Sequence, residues 1–223
     1  MIAVRALLAI VVLMTAGRAA AAAGDDPVLA PPEETLPPAL QAVRADLQRI
    51  VSLRDLAALR AHIREDTTLS FGGDTGPQGF DALWTHDPAA TQALWRELDA
   101  ILALPGVASR EDGRDLWCAP YVSCLPSPAE IDVFDTQGVL GRDVALHAQP
   151  DGHSRVLARL DHAVVTRVDD GAVEAAPWIR VRLASGQLGF IAAHRLRSPI
   201  DCRFSILDEG IGAWSFQYFV AGD

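Results

Sequence analysis

The carboxylates, thiols and imidazoles of this chain fall into few patterns with chemical meaning. Asp74-Thr75-Gly76 is a tripeptide from which a carboxylate pair sharing one proton can activate water. That chemistry needs two copies, each after a hydrophobic strand, whereas here Gly72-Gly73 precedes a single copy. Asp74 and Asp81 are also hard oxygen ligands, yet the alternating acid spacing of a calcium loop is absent. The residues favour a structural turn in which Asp74 bonds local amides. The six histidines include no i, i+4 pair beside a glutamate, so no metal site is expected. Cys118 or Cys124 with His147, His153, His162 or His194 would be the pairing for a thiolate nucleophile, but no characteristic cysteine motif surrounds them. In an oxidising compartment Cys118 and Cys124 are the near pair for a disulfide, although three pairings with Cys202 are open. No catalytic residue and no cofactor are therefore expected.

Aromatic residues carry more promise for binding. Trp178, Phe190, Trp214, Phe216 and Tyr218 offer apolar area and stacking faces, most of them destined for cores. Ile179, Val181 and Leu183 share one face of a strand, and Trp178 lies out of phase with them, which makes it the candidate ligand platform.

These side chains must be positioned by a chain of 223 residues, half of them hydrophobic, enough for real cores. Residues 1–23 carry Arg5, an apolar run from Ala6 to Met14 and an alanine-rich stretch, the pattern of a cleaved secretory signal peptide. The run is shorter than the ~20 residues of a spanning helix. Removing it takes away Arg5 and Arg18 and no acid, so the net charge moves from −10 to −12. That field repels nucleic acid and anionic lipid. The expected location is periplasmic or secreted.

Residues 24–38 hold five prolines and several acids and read as an exposed tether. Residues 39–137 read as mainly helical. Leu40, Val43, Leu47, Ile50 and Val51 recur at helical spacing, and Ser52 with Asp55 marks a second helix through Ile63. Pro77 and Asp87-Pro88 open two more helices, the second ended by Pro105-Gly106, and Ser127-Pro128-Ala129-Glu130 marks another cap before a short helix at Ile131 to Phe134. Residues 138–197 read as short strands of a small barrel: Val144 to His147, Val156 to Leu160, Val164 to Val168, Trp178 to Leu183 and Leu188 to Ile191. Residues 198–223 form an aromatic hairpin that packs on the helices or the barrel.

The runs Val144-Ala-Leu-His-Ala-Gln-Pro150, Val156-Leu-Ala-Arg-Leu160, Trp178-Ile-Arg-Val-Arg182 and Gly186-Gln-Leu-Gly-Phe190-Ile191 resemble a bacterial SH3 (SH3b) domain over roughly 60 residues. The first strand has Ala145-Leu146-His147 where that family usually carries Asn-Val-Arg, and the last has Gly189-Phe190 where it usually carries Gly-Trp. The motifs Phe71 to Asp74, Ala119 to Tyr121, Arg197 to Pro199 and Val220 to Asp223 extend the likeness to exported proteins with a helical leader, an SH3b module and a terminal hairpin. The resemblance implies an α+β chain with an SH3-like small β-barrel. It also implies a ligand, a cell-wall peptide or an envelope protein, near Trp178, Phe190 and His147. SH3b modules often accompany cell-wall peptidases with a Cys-His dyad, so the alternative is a cell-wall hydrolase centred on Asp74, Asp81 and Cys118.

Overall fold

The computed structural model describes residues 26–33, 35–126, 132–168, 176–220 and 222. The signal-peptide segment and the Ser127-to-Glu130 cap lie outside them. The first helix, α1 (Pro38–Leu53), opens on a proline and buries Leu40, Val43, Leu47, Ile50 and Val51 along one stripe. Asp55 caps α2 (Leu56–Arg60), its carboxylate accepting from the Ala58 amide at 2.9 Å. Ser52 has no part in that cap: its hydroxyl donates to the Arg49 carbonyl at 2.8 Å. The expected helix through Ile63 stops at Arg60, and Ile63 instead begins strand β1 (Ile63–Thr68). Pro77 lies in the first turn of α3 (Gly76–Trp84), and Asp87 caps α4 (Pro88–Leu102) by accepting from Ala90 N at 2.7 Å.

Beyond α4, within the stretch expected to be mainly helical, comes a hairpin. Strands β2 (Val107–Glu111) and β3 (Arg114–Ala119) pair antiparallel across Asp112 and Gly113, both at positive φ (48° and 81°). Asp-Gly at the two central positions supplies the backbone twist such a tight hairpin requires. A single helical turn, α5 (Tyr121–Cys124), follows.

The next strands are β4 (Thr136–Val139), β5 (Val144–His147), β6 (Val156–Leu160), β7 (Val164–Arg167), β8 (Trp178–Arg182), β9 (Leu188–Ala192) and, after a 3-10 turn at Ala193–Arg195, β10 (Leu196–Arg197). They form one sheet in the order β10-β4-β7-β8-β9-β5-β6. The sheet is open. The two residues of β10 pair with β4, while β6 pairs with β5 alone. Its core is Val139, Val144, Leu146, Val165, Val181, Leu183 and Ile191, the inward side of the alternation read in the sequence.

The terminal hairpin, β11 (Arg203–Gly210) and β12 (Ala213–Val220), is central to the other sheet, ordered β1-β12-β11-β3-β2. Phe204, Ile206, Trp214, Phe216 and Phe219 face α1, α3 and α4 and form one core with Leu47, Phe80, Leu98 and Trp117. Residues expected to be mainly helical thus supply three strands as well, and the molecule is α+β with two sheets.

A small cluster of Leu29, Tyr121, Val122 and Val164 joins the two sheets. Part of the proline-rich tether is docked there rather than exposed. Leu29 is buried, its amide donates to the His162 carbonyl at 2.8 Å, and Val164 N donates to Pro27 O at 2.7 Å. An apolar residue among the prolines, with free backbone groups beside it, was enough to add this edge.

At one end of the five-stranded sheet His62 lies flat on Trp214, ring centroids 3.4 Å apart and planes 5° from parallel. Its Nδ1 donates to the Trp214 carbonyl at 2.8 Å, and the Trp214 indole donates to Asp46 at 3.1 Å. Burial pushes the His62 pKa down, against the opposing pull of that hydrogen bond and of Asp46. The folded state therefore prefers neutral His62. Its contribution is complete above the ordinary histidine pKa of about 6.5 and is lost as pH falls through the lower folded value. Urea midpoints should fall between pH 7.5 and pH 5, and His62→Phe, which keeps the stack without the proton, should fall less. Equal slopes in the two proteins would remove His62 from the account.

Candidate functional site

One end of the seven-stranded sheet gathers side chains from five places in the chain. Arg142 and Asp143 come from the turn between β4 and β5, His147 from the end of β5 and Arg159 from β6. Trp178 opens β8, and His194 and Arg195 lie in the 3-10 turn after β9. Together they line a cleft of about 280 Å³.

Register puts the apolar wall in place. His147 pairs with Phe190, Arg180 pairs with Phe190, and Trp178 pairs with Ala192, so these side chains share one face of the sheet. Trp178 is half-buried and meets the edge of His147, ring centroids 5.2 Å apart and planes at 77°. His147 is itself buried, and its Nδ1 donates to the Ser154 carbonyl at 3.3 Å. A Cβ on Gly152 would come within 3.9 Å of the indole, so the loop at 151–153 closes around the ring without covering it. Phe190 is half-buried beside His147 but is not part of the cleft lining. Of the three residues expected to bind ligand, Trp178 and His147 thus meet in one cleft, and Phe190 supports them from the adjacent strand.

The charge of the lining is the feature sequence reading missed. Three arginines, Arg142, Arg159 and Arg195, face one acid, Asp143, in a chain with 29 acids and 19 bases. Asp143 is committed to Arg159, whose Nη1 donates to its carboxylate at 3.2 Å and to its carbonyl at 3.0 Å. Among the described residues Arg142 and Arg195 form no ion pair. A half-exposed indole beside unpaired guanidinium groups can hold an anionic group with an apolar neighbour.

A larger cleft, about 490 Å³, lies on the face of the five-stranded sheet away from the helices. Its charged lining is balanced, Arg64 and Arg114 against Asp66 and Glu209. Arg64 pairs with Glu209, whose other oxygen accepts from the Ser215 hydroxyl at 2.5 Å. Internal pairing leaves it less to offer a ligand than the smaller cleft.

The groups considered for hydrolysis are engaged in structure. Asp74 accepts from Ser70 Oγ at 2.6 Å, and Ser70 Oγ in turn accepts from the Gly72 and Asp74 amides, a self-contained turn. Asp81 takes two hydrogen bonds from Arg60, at 2.8 and 2.7 Å, which hold its carboxyl below the usual carboxylate range. Cys118 and Cys124 are joined in a disulfide, leaving no thiol at either position. Cys202 is free but buried, and burial pushes its thiol up to about 12, so it packs as a small apolar residue.

No protein-family model, curated protein or solved structure matches this chain. Among the described residues no helix is long and apolar enough to cross a membrane.

Proposed function

We propose that this chain is an exported, non-catalytic binding or scaffolding protein of the bacterial cell envelope, whose seven-stranded sheet is an SH3b-like module that recognises a cell-wall peptide or an envelope protein. The supporting observation is the cleft in which Trp178 and His147 meet beside Arg142 and Arg195, which form no ion pair among the described residues. The reading takes residues 1–23 as a signal peptide, so the working protein starts at Gly24 and resides in the periplasm or outside the cell. The hydrolase reading finds no support in side chains that are occupied by a local turn, an ion pair and a disulfide.

The test is co-sedimentation of residues 24–223 with purified peptidoglycan sacculi beside a Trp178→Ala variant. Retention of the unaltered protein, reduced about tenfold or more in the variant, is the expected result; truncating a central aromatic contact typically costs a complex about 2 kcal/mol or more. No retention of either protein would move the ligand from the wall to a protein partner. Equal retention of both would place wall binding elsewhere on the molecule.

A further inference from the structure

The cleft's charge says more than that something binds there. Resting on the binding-module reading, we propose that the cleft takes an acidic peptide: a carboxylate held between Arg142 and Arg195, with the neighbouring apolar group of the peptide laid against Trp178. The sign follows from the lining. Among the described lining residues Arg142, Arg159 and Arg195 outnumber Asp143, and Asp143 is paired with Arg159, so this part of the cleft is locally positive on a protein of net charge −10. A cationic ligand would meet uncompensated guanidinium groups there.

The ligand class follows from shape. Guanidinium presents a planar fork of donors matched to a carboxylate, and the half-buried indole adds an apolar surface with little freedom to lose on binding. A volume of about 280 Å³ admits one or two residues of a peptide and no larger body. The acidic surface elsewhere disfavours nucleic acid and anionic membrane. Carboxylates on wall peptides and on protein side chains share this chemistry.

Asp143 gives the proposal its sharpest check. It sits at φ 55°, a left-handed conformation that asparagine also tolerates. Asp143→Asn therefore removes the only acid among the described lining residues while suiting the same backbone.

The experiment is a titration of the intact 24–223 protein, followed by NMR at the Trp178 indole and the arginine Nε groups. The probes are acetyl-Ala-Glu-Ala, its fully amidated counterpart acetyl-Ala-Gln-Ala-amide, and inorganic phosphate. Saturable shifts with the acidic peptide, at least tenfold weaker with the amidated one, are expected. Arg142→Gln/Arg195→Gln should abolish them, and Asp143→Asn should tighten binding about threefold to tenfold. Equal responses to the acidic and amidated peptides, or none to either, would overturn the proposal. So would a response to phosphate as strong as that to the peptide, which would mark a simple anion site.

A parallel sedimentation with sacculi whose carboxyl groups have been amidated separates the two readings. Retention that survives amidation, with no peptide response, leaves the wall-binding reading standing and removes this one. A peptide response without retention on any sacculi keeps the acidic-peptide site and assigns its ligand to a protein.

Discussion

Phe216→Ala is expected to cost about 3–5 kcal/mol of stability, the range for truncating a fully buried aromatic. Phe216 is 1% exposed and is held by three rings. It meets Phe204 edge-on at 5.6 Å and Trp214 edge-on at 5.5 Å, and lies over Phe219 at 5.5 Å. Its strand is interior, bonded to β1 on one side and β11 on the other. Its carbonyl accepts from the Thr67 hydroxyl at 2.7 Å, and its amide donates to His62 O at 3.0 Å. Alanine keeps those backbone bonds, so the loss isolates the ring. Urea unfolding followed by tryptophan fluorescence measures it. Because the seven-stranded sheet has its own core, the proposed peptide binding at Trp178 should persist in the variant under conditions where it remains folded. A loss under about 1 kcal/mol would mean that the surrounding rings close the cavity left by the truncated side chain.

The second large effect comes from adding one methyl group. Gly106 follows α4, and an alanine Cβ there would sit 2.1 Å from Trp117 Nε1 and 2.6 Å from the Cys118 carbonyl. Trp117 cannot retreat. It is fully buried, packed edge-on against Phe204 at 5.1 Å, on a strand bonded to β2 and β11. Gly106→Ala should therefore destabilise by about 3 kcal/mol, the upper end of the usual overpacking range. The glycine is needed for closeness alone, since its backbone is not in the left-handed region. Pairing Gly106→Ala with Trp117→Phe should recover part of the loss if contact with the indole is its cause. Additive losses in the double variant would point to the Cys118 carbonyl instead.

How much of this was legible in the sequence depends on the distance over which each signal acts. Five strands of the seven-stranded sheet can be read nearly to their ends because alternation is local, as at Val156–Leu160, whereas the short edge pair β4 and β10 carries no such pattern. Asp87-Pro88 opened a helix as written, for the same reason. β1 gave no such sign. In Ile63-Arg-Glu-Asp-Thr-Thr68 only Ile63 and Thr67 are buried, and the strand exists by parallel pairing with β12, far away in the chain. The β2–β3 hairpin did carry a local signal, Asp112-Gly113, overlooked because its flanking strands are mostly polar on β2. At the site, the phase of Trp178 against Val181 and Leu183 sets it on the face opposite the core, and there it lines the smaller cleft. The arginines could not be found that way. Arg142, Arg159 and Arg195 sit on three separate segments among 19 arginines, and only the topology converts them from scattered surface charge into one cluster.

The interleaving of the two sheets also sets an order in time. Every strand of the seven-stranded sheet lies within 136–197, so it can pair as soon as that stretch has emerged from the ribosome. The five-stranded sheet cannot, because β1 waits for β12 and β3 waits for β11. Until the last strands arrive, α1, α3 and α4 hold an apolar face with no sheet to cover it, the kind of exposed surface that chaperones bind and that aggregates form from. Vectorial delivery thus matures the half that holds the Trp178 cleft first and leaves the helical half as the late, vulnerable step.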